Sequence, residues 1–275
     1  MYDKRIKHGL FFSILIAFCF LGMAATILPA QAEEQVEEVN TGQDFTKPLT
    51  RLDIRQKYQW LASDHFAAMT TFRVDKPFVL ASKWVLGTRF DLPLMATDVV
   101  SGDNPDGDNQ FGTSDFLAQL MMIAPQAGKS WTWAYGAQVI FPMASHDEMG
   151  SGRFQLAPLI GAKADLNFIS RGSFCALLLR NHIDIGGSGS RADVNYLVIQ
   201  PILNINLPKS FFLNLAPEMR VNWENDNRWF VPFDITIGKM LNKSTVVSIE
   251  YKIPVHDDNY PIYNAEVEAR IGFFF

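Results

Sequence analysis

Hydrophobic and polar residues alternate with a period of two along most of the chain after residue 48. In residues 51–61, charged and amide residues occupy the odd positions, and Leu52, Ile54, Tyr58 and Trp60 occupy even ones. Residues 264–275 repeat this alternation. Because successive side chains of a β-strand point to opposite faces, the pattern predicts strands with one polar and one apolar face.

Twelve such strands are expected, joined by connections of alternating length. They cover residues 51–61, 66–75, 84–94, 113–124, 131–143, 153–166, 173–184, 194–206, 211–222, 228–238, 245–254 and 264–275. The connections alternate between short turns and longer acidic or Gly-rich loops, except at residues 62–65 and 76–83. An even strand number with short turns opposite long loops is typical of closed antiparallel transmembrane β-barrels. A soluble periplasmic β-sandwich is the alternative.

The first 32 residues have the order of a secretory signal peptide. Lys4, Arg5 and Lys7 precede an apolar stretch, and Ala30-Gln31-Ala32 is a small-x-small cleavage site. An uncleaved transmembrane anchor is the alternative. Residues 33–47 are acidic and lack periodicity, which predicts a periplasmic tail or a flap over the lumen. The barrel is then expected over residues 48–275.

The composition fits export and a barrel. No stretch after the signal peptide approaches the roughly 18–20 unbroken apolar residues that a transmembrane helix needs. Aromatic residues make up 13% of the chain, and the six tryptophans lie near predicted strand ends, where interfacial belts are expected. A net charge of −5 argues against a nucleic-acid partner. The sequence contains no phosphate-binding Gly-rich loop and no metal-spaced Cys/His set, so no cofactor is predicted.

The polar face of the strands is predicted to line the lumen of the barrel. Charges of both signs interleave on that face, which fits either a hydrated pore or a closed barrel rigidified by cross-strand ion pairs. The predicted lumen residues are Asp53, Arg55, Lys57, Arg89, Asp115, Lys163, Asp165, Arg180, His182, Glu218, Arg220, Asp234, Glu250, Lys252, Glu266, Glu268 and Arg270.

One enzymatic alternative depends on the strand at residues 173–184. Arg180, His182 and Asp184 share a face, so His182 could act as a general base if a serine nucleophile lay within hydrogen-bond reach. No serine is evident opposite it, and a lumen ion-pair cluster is the simpler interpretation. The acidic loop at residues 103–109 has oxygen ligands that suit calcium, but the EF-hand spacing is missing.

Four short motifs resemble those of a known family. They are Ser151-Gly152-Arg153-Phe154, Ala192-Asp193-Val194-Asn195, residues 200–208 and residues 227–232. In this order they resemble the outer-membrane β-barrel family associated with the MetA pathway of phenol degradation, from about Leu86 to the end of the chain. The resemblance implies a barrel in the outer membrane of a Gram-negative cell. It also implies passage of small, aromatic or hydrophobic molecules and no catalytic motif.

The last residues resemble the C-terminal signal of outer-membrane proteins. Ile271, Phe273 and Phe275 alternate on the apolar face and end on an aromatic residue. The expected partners are therefore the assembly machinery, outer-membrane lipid and lipopolysaccharide, and a small-molecule cargo. Three functions remain open: a channel or transporter that works by diffusion, a lipid-processing barrel enzyme, and a structural barrel with surface-loop binding.

Overall fold

A computed structural model describes residues 40–126 and 131–275 as a closed, all-β, antiparallel barrel of twelve strands. The predicted signal peptide and residues 33–39 lie outside the described residues. The segments are β1 Arg51–Trp60, β2 Phe66–Val79, β3 Val85–Thr97, β4 Gln110–Thr113, β5 Phe116–Ile123, β6 Trp131–Phe141, β7 Arg153–Asp165, β8 Phe174–Gly187, β9 Asn195–Leu207, β10 Phe211–Leu215, β11 Met219–Asn222, β12 Arg228–Asn242, β13 Thr245–Asp257 and β14 Ala265–Phe274. Short 3₁₀ turns occupy Ala62–Asp64, Ala81–Lys83, Asp147–Met149 and Pro208–Ser210.

The first and last strands close the barrel. β1 pairs with β14 in an unbroken antiparallel register that runs from Arg51 opposite Phe274 to Trp60 opposite Ala265. A sheet can cross lipid only if its backbone groups are paired internally, and closure removes the free edges. The start of β1 and the end of β14 therefore lie at the same end of the barrel, which carries the short turns. We call this the turn end, and the opposite end the loop end.

Two of the twelve barrel strands are interrupted. β4 and β5 are successive pieces of one strand, and the register against β3 shifts by one residue between them. β10 and β11 are pieces of another and keep the same register against β9 across the gap. Pro217 lies in that gap and has no N–H to donate to the ladder. The side chain of Gln200 donates to the carbonyl of Ala216 over 3.2 Å and so replaces part of the missing pairing.

The structure confirms the expected barrel and corrects one connection. Residues 76–83 were expected to be a long connection, but β2 continues to Val79, and Lys76 and Pro77 pair with Thr88 and Gly87. The remaining turn is tight, with Ser82 at φ 57° and Lys83 at φ 64°. Lys76 and Pro77 weaken the apolar pattern of the strand. The turn also lacks the Asn-Gly or Asp-Gly pair that most often marks such geometry.

The apolar side chains of the strands face outward. Ile237 and Ile249 are directly opposite each other on β12 and β13 and are 51% and 57% exposed. Charged residues show the opposite behaviour, since Asp53 is 0% and Lys163 is 1% exposed. A soluble sandwich would bury its apolar face, so this inverted arrangement argues against the sandwich alternative.

Exposed tryptophans lie at both ends of the apolar surface. Trp60 and Trp223 are at the loop end, and Trp131 and Trp133 are at the turn end. Such belts are typical of the two interfaces of a membrane. Among residues 40–126 and 131–275, no helix is long and apolar enough to cross a membrane.

A matched pair of arginine substitutions tests the two faces. Ile249→Arg places a charge on the outer face near the middle of β13, which should cost about 2–4 kcal/mol in a bilayer. Gln59→Arg places the same side chain on the inner face, where it can still donate to Glu266, the present partner of Gln59 at 2.6 Å. We expect Ile249→Arg to lower the yield of heat-modifiable barrel in membranes, and Gln59→Arg to assemble normally. Equal yields of the two variants would refute the assignment of faces.

Candidate functional site: the barrel lumen

The turn-end half of the lumen is lined by a ladder of ion pairs. Arg51 Nη2 lies 2.6 Å from Asp75 Oδ2, and Arg89 Nε lies 2.9 Å from Asp75 Oδ1. Arg73 holds Asp91 with two nearly parallel hydrogen bonds of 2.8 and 2.6 Å. Removing one partner of such a buried pair leaves an uncompensated charge, which is strongly destabilising. The ladder therefore fixes the wall of the lumen.

Ion pairs of the same wall also connect β1 with β14. Arg270 Nη2 donates to Asp53 Oδ1 over 3.0 Å, and Arg55 Nε donates to Glu268 Oε1 over 2.7 Å. Both pairs join the first strand of the barrel to the last. Buried charge thus reinforces the contact that closes the sheet.

Nearer the loop end, Lys252 is the centre of a second cluster. Its Nζ lies 3.0 Å from both Glu250 and Glu266 and 3.8 Å from Asp234. The three acids come from β12, β13 and β14. Lys57 lies 3.9 Å from Glu266 and contributes a second, more distant positive charge.

Some buried lumen oxygens have no protein partner within the described chain. Oδ1 of Asn204, Asn214 and Asp234 accepts no hydrogen bond, although these residues are at most 5% exposed. Asn204 is directly opposite Asn214, and Asn214 is opposite Thr236, next to Asp234 on the inner face. Buried polar atoms without a protein partner are normally satisfied by water. The arrangement fits a hydrated lumen.

Residues 40–48 cross the lumen near its turn end. The carbonyl of Gly42 accepts a hydrogen bond of 2.7 Å from Arg51 on one wall. On the other wall, Lys163 donates to Asp44 over 3.0 Å. Phe45 packs between these contacts against two apolar clusters of the inner wall. We call residues 40–48 the plug segment.

A small cavity lies beside the plug segment. It measures about 50 Å³ and lies between the segment and the wall that carries Arg51, Arg89 and Met121. A water molecule needs roughly 10–15 Å³ of such space, so the cavity holds a few waters and no larger solute. Residues 40–47 are the described part of the segment expected to be a periplasmic tail or a flap, and they contact both walls of the lumen.

The predicted lumen residues occur in four settings. Most lie on the inner face in the ion-pair networks: Asp53, Arg55, Lys57, Arg89, Arg180, Glu218, Arg220, Asp234, Glu250, Lys252, Glu266, Glu268 and Arg270. Lys163 and Asp165 form a pair of 2.6 Å near the plug segment, and Asp115 caps the loop end by accepting from Ser151. His182 is also buried, but in an aromatic stack. The alternation of polar and apolar residues also places Arg73 and Asp75 on the inner face, although they were not among the predicted lumen residues. No pattern in the sequence indicates that Asp44 and Phe45 lie in the lumen.

The contacts of His182 differ from those of a general base with a serine. Its ring stacks on Tyr196 at 4.5 Å, and its Nδ1 lies 3.3 Å from Gln155 Oε1. The side chain of Gln155 links His182 to Ser151, because its amide donates to Ser151 Oγ over 3.0 Å. Asp184 accepts from the backbone of Val194. Arg180 pairs with Glu218 and Asp184 lies 3.9 Å from Arg153, so the closest partners of the three residues come from other strands.

The acidic loop at residues 98–109 is organised by one asparagine. Asn104 is 3% exposed, donates to the carbonyls of Val99 and Asp108, and accepts from the N–H of Asp108. Within the described ranges, no group of three or more His, Cys, Asp or Glu side chains could hold a metal ion. The loop is thus ordered by its own hydrogen bonds.

Comparisons with known proteins agree on the fold. No family model and no curated protein matches the sequence. An outer-membrane channel from Pseudomonas putida F1 superimposes with a TM-score of 0.67 at 12% identity, over 90% of this chain and 100% of that one. KdgM porin in complex with disordered oligogalacturonate gives 0.51 at 8% identity, over 82% and 99% of the two chains. Outer membrane phospholipase A from Escherichia coli gives 0.51 at 11% identity, over 85% and 95%.

The chain has the fold of outer-membrane barrels. At these identities the likeness shows the fold alone, because one barrel architecture carries unrelated functions. The phenol-degradation family is not confirmed by these comparisons and stays a prediction.

Loosening the plug segment should widen the path. The double substitution Asp44→Asn and Phe45→Ala removes its ion pair to Lys163 and its main apolar contact. We expect a larger single-channel conductance in planar bilayers than that of the unmodified protein. Asp165→Asn is the control, because it removes the other partner of Lys163 and leaves the segment in place. Identical conductance in the double variant and the control would show that the plug segment does not limit the path.

Proposed function

We propose that the protein is an outer-membrane channel through which small molecules diffuse. The observation that carries this proposal is the inversion of polarity across the wall. The outer face is mostly apolar, and the inner face holds interleaved charges and buried oxygens without a protein partner. Lumen side chains of this kind favour water inside the barrel and set selectivity.

The proposed orientation follows from the connections and the predicted signal peptide. Barrels of the bacterial outer membrane place short turns in the periplasm and long loops outside. The turn end would then face the periplasm and the loop end the exterior. The plug segment would thus restrict the periplasmic half of the path.

The resemblance to the phenol-degradation family supports aromatic or hydrophobic cargo. The solved channel from Pseudomonas putida F1 and the porin seen with oligogalacturonate support a channel as the general class. Their names do not identify the cargo of this chain. From the resemblance we propose small aromatic or hydrophobic molecules as the substrate class.

A structural barrel is the second candidate function, because the plug segment crosses the lumen and is hydrogen-bonded to both walls. Such a barrel would conduct no ions even after the plug segment is loosened. The lipid-processing enzyme is less well supported, since His182 contacts an amide and an aromatic ring rather than a serine.

Reversing a lumen charge should change ion selectivity. Arg220 is 32% exposed in the lumen, so Arg220→Glu should shift the reversal potential toward cation selectivity while the barrel assembles normally. Lys243→Glu makes the same change of net charge in an exposed turn and should leave selectivity unchanged. A wild-type barrel that folds but shows no conductance would contradict the channel.

The terminal aromatic residue should matter for assembly rather than for conduction. Phe275 is 83% exposed, and its N–H donates to the carbonyl of Thr50 over 2.9 Å. Phe275→Asp keeps that backbone contact and removes the exposed ring. We expect less heat-modifiable protein in the outer-membrane fraction, and normal single-channel conductance for the barrels that do form. Wild-type levels of barrel would contradict an assembly role.

A further inference from the structure

Arg220 differs from the other arginines of the lumen. Arg51, Arg55, Arg73, Arg89, Arg180 and Arg270 each have a guanidinium nitrogen within 3.0 Å of a carboxylate oxygen. The contact between Arg220 and Glu218 is 4.0 Å, which is beyond hydrogen-bond distance. The guanidinium of Arg220 therefore retains donors for a further anion.

The register of three strands builds a compact site around Arg220. Val198 on β9 is directly opposite Arg180 on β8 and Arg220 on β11. One step toward the loop end, Tyr196 is opposite both His182 and Asn222 in the same way. These residues face the lumen on adjacent strands. A ligand in the lumen can therefore meet both arginines together.

Arg180 and Arg220 share one carboxylate. Glu218 Oε1 is held by Arg180 at 2.6 Å, and its other oxygen lies 4.0 Å from Arg220. The other acids of this half of the lumen, Glu250, Glu266 and Asp234, lie within 3.8 Å of Lys252. Arg220 is therefore left without a close carboxylate, and the carboxylate of a ligand would give it the partner that the other lumen arginines have.

Aromatic side chains form the rest of the site. The ring of Tyr196 lies 5.4 Å from the guanidinium carbon of Arg220 and stacks on His182. Phe230 on β12 is directly opposite Arg220. The Tyr263 ring packs edge-on against Phe230 at 5.0 Å. An aromatic body is well suited to such a wall, because ring edges and faces attract each other at these distances.

From these contacts we infer a binding site for small aromatic monocarboxylates in the loop-end half of the lumen, with Arg220 as the anchor of the carboxylate. The inference deepens the proposed channel function, since it names a chemical class of cargo and rests on cargo entering the lumen. The guanidinium of Arg220 would donate to the carboxylate. Tyr196, which lies beside Arg220, would contact the ring of the ligand.

Calorimetric titration of the full chain in detergent tests the site, with benzoate, neutral benzamide and acetate as probes. We expect benzoate to bind at least tenfold more tightly than benzamide or acetate. Arg220→Gln should lower the affinity for benzoate at least tenfold, about 1.4 kcal/mol, and leave the affinity for benzamide unchanged. Lys57→Gln is the matched control, because it removes another loosely paired lumen cation and should leave benzoate affinity unaltered.

The outcomes separate the site from the channel. Equal benzoate affinity in wild type and in a heat-modifiable Arg220→Gln barrel would overturn the site, as would no benzoate binding by a conducting wild-type barrel. If the barrel shows no conductance but binds benzoate in a way that depends on Arg220, the site is supported and the channel function is refuted. If Lys57→Gln lowered benzoate affinity as much as Arg220→Gln, the effect would come from the overall charge of the lumen. That result would also overturn the site.

Discussion

The pairing of β1 with β14 is the constraint on which the rest of the structure depends. A sheet in lipid must leave no backbone group unpaired, so the first and last strands have to meet in register. Once they do, every strand has one face toward the lipid and one toward the lumen. The period of two in the sequence then becomes a division between an apolar exterior and a charged interior. Arg270 with Asp53 and Arg55 with Glu268 add ion pairs across the same seam.

Most charged side chains inside the barrel form ion pairs with residues of opposite charge. Arginines and acids of neighbouring strands satisfy one another at the turn end, and Lys252 gathers three acids nearer the loop end. Such pairs cost desolvation and do not by themselves make a fold stable, but they hold side chains in place. Arg220 departs from this rule, and an arginine that lies beside an aromatic ring without a close carboxylate is more easily explained by a ligand than by the wall.

Alternation in the sequence predicted the strands and the inner face because both depend on local geometry. It missed the end of β2, where Lys76 and Pro77 break the apolar pattern. It could not place the plug segment, since residues 40–48 have no periodicity and Asp44 reaches a partner 119 positions away. The alternation also predicted a cluster of Arg180, His182 and Asp184, because the three residues share a face of one strand. Their partners come from other strands, and pairing between strands is not encoded in the spacing of one strand.

The central claim is that the two faces of each strand meet different solvents, and site-directed fluorescence tests it most directly. Single cysteines at positions 247–252 of β13, in a Cys175→Ser background, would carry an environment-sensitive fluorophore in vesicles containing brominated lipid. The account predicts strong lipid quenching at Val247, Ile249 and Tyr251 and weak quenching at Ser248, Glu250 and Lys252. Uniform quenching along the strand, or quenching in the opposite phase, would contradict it.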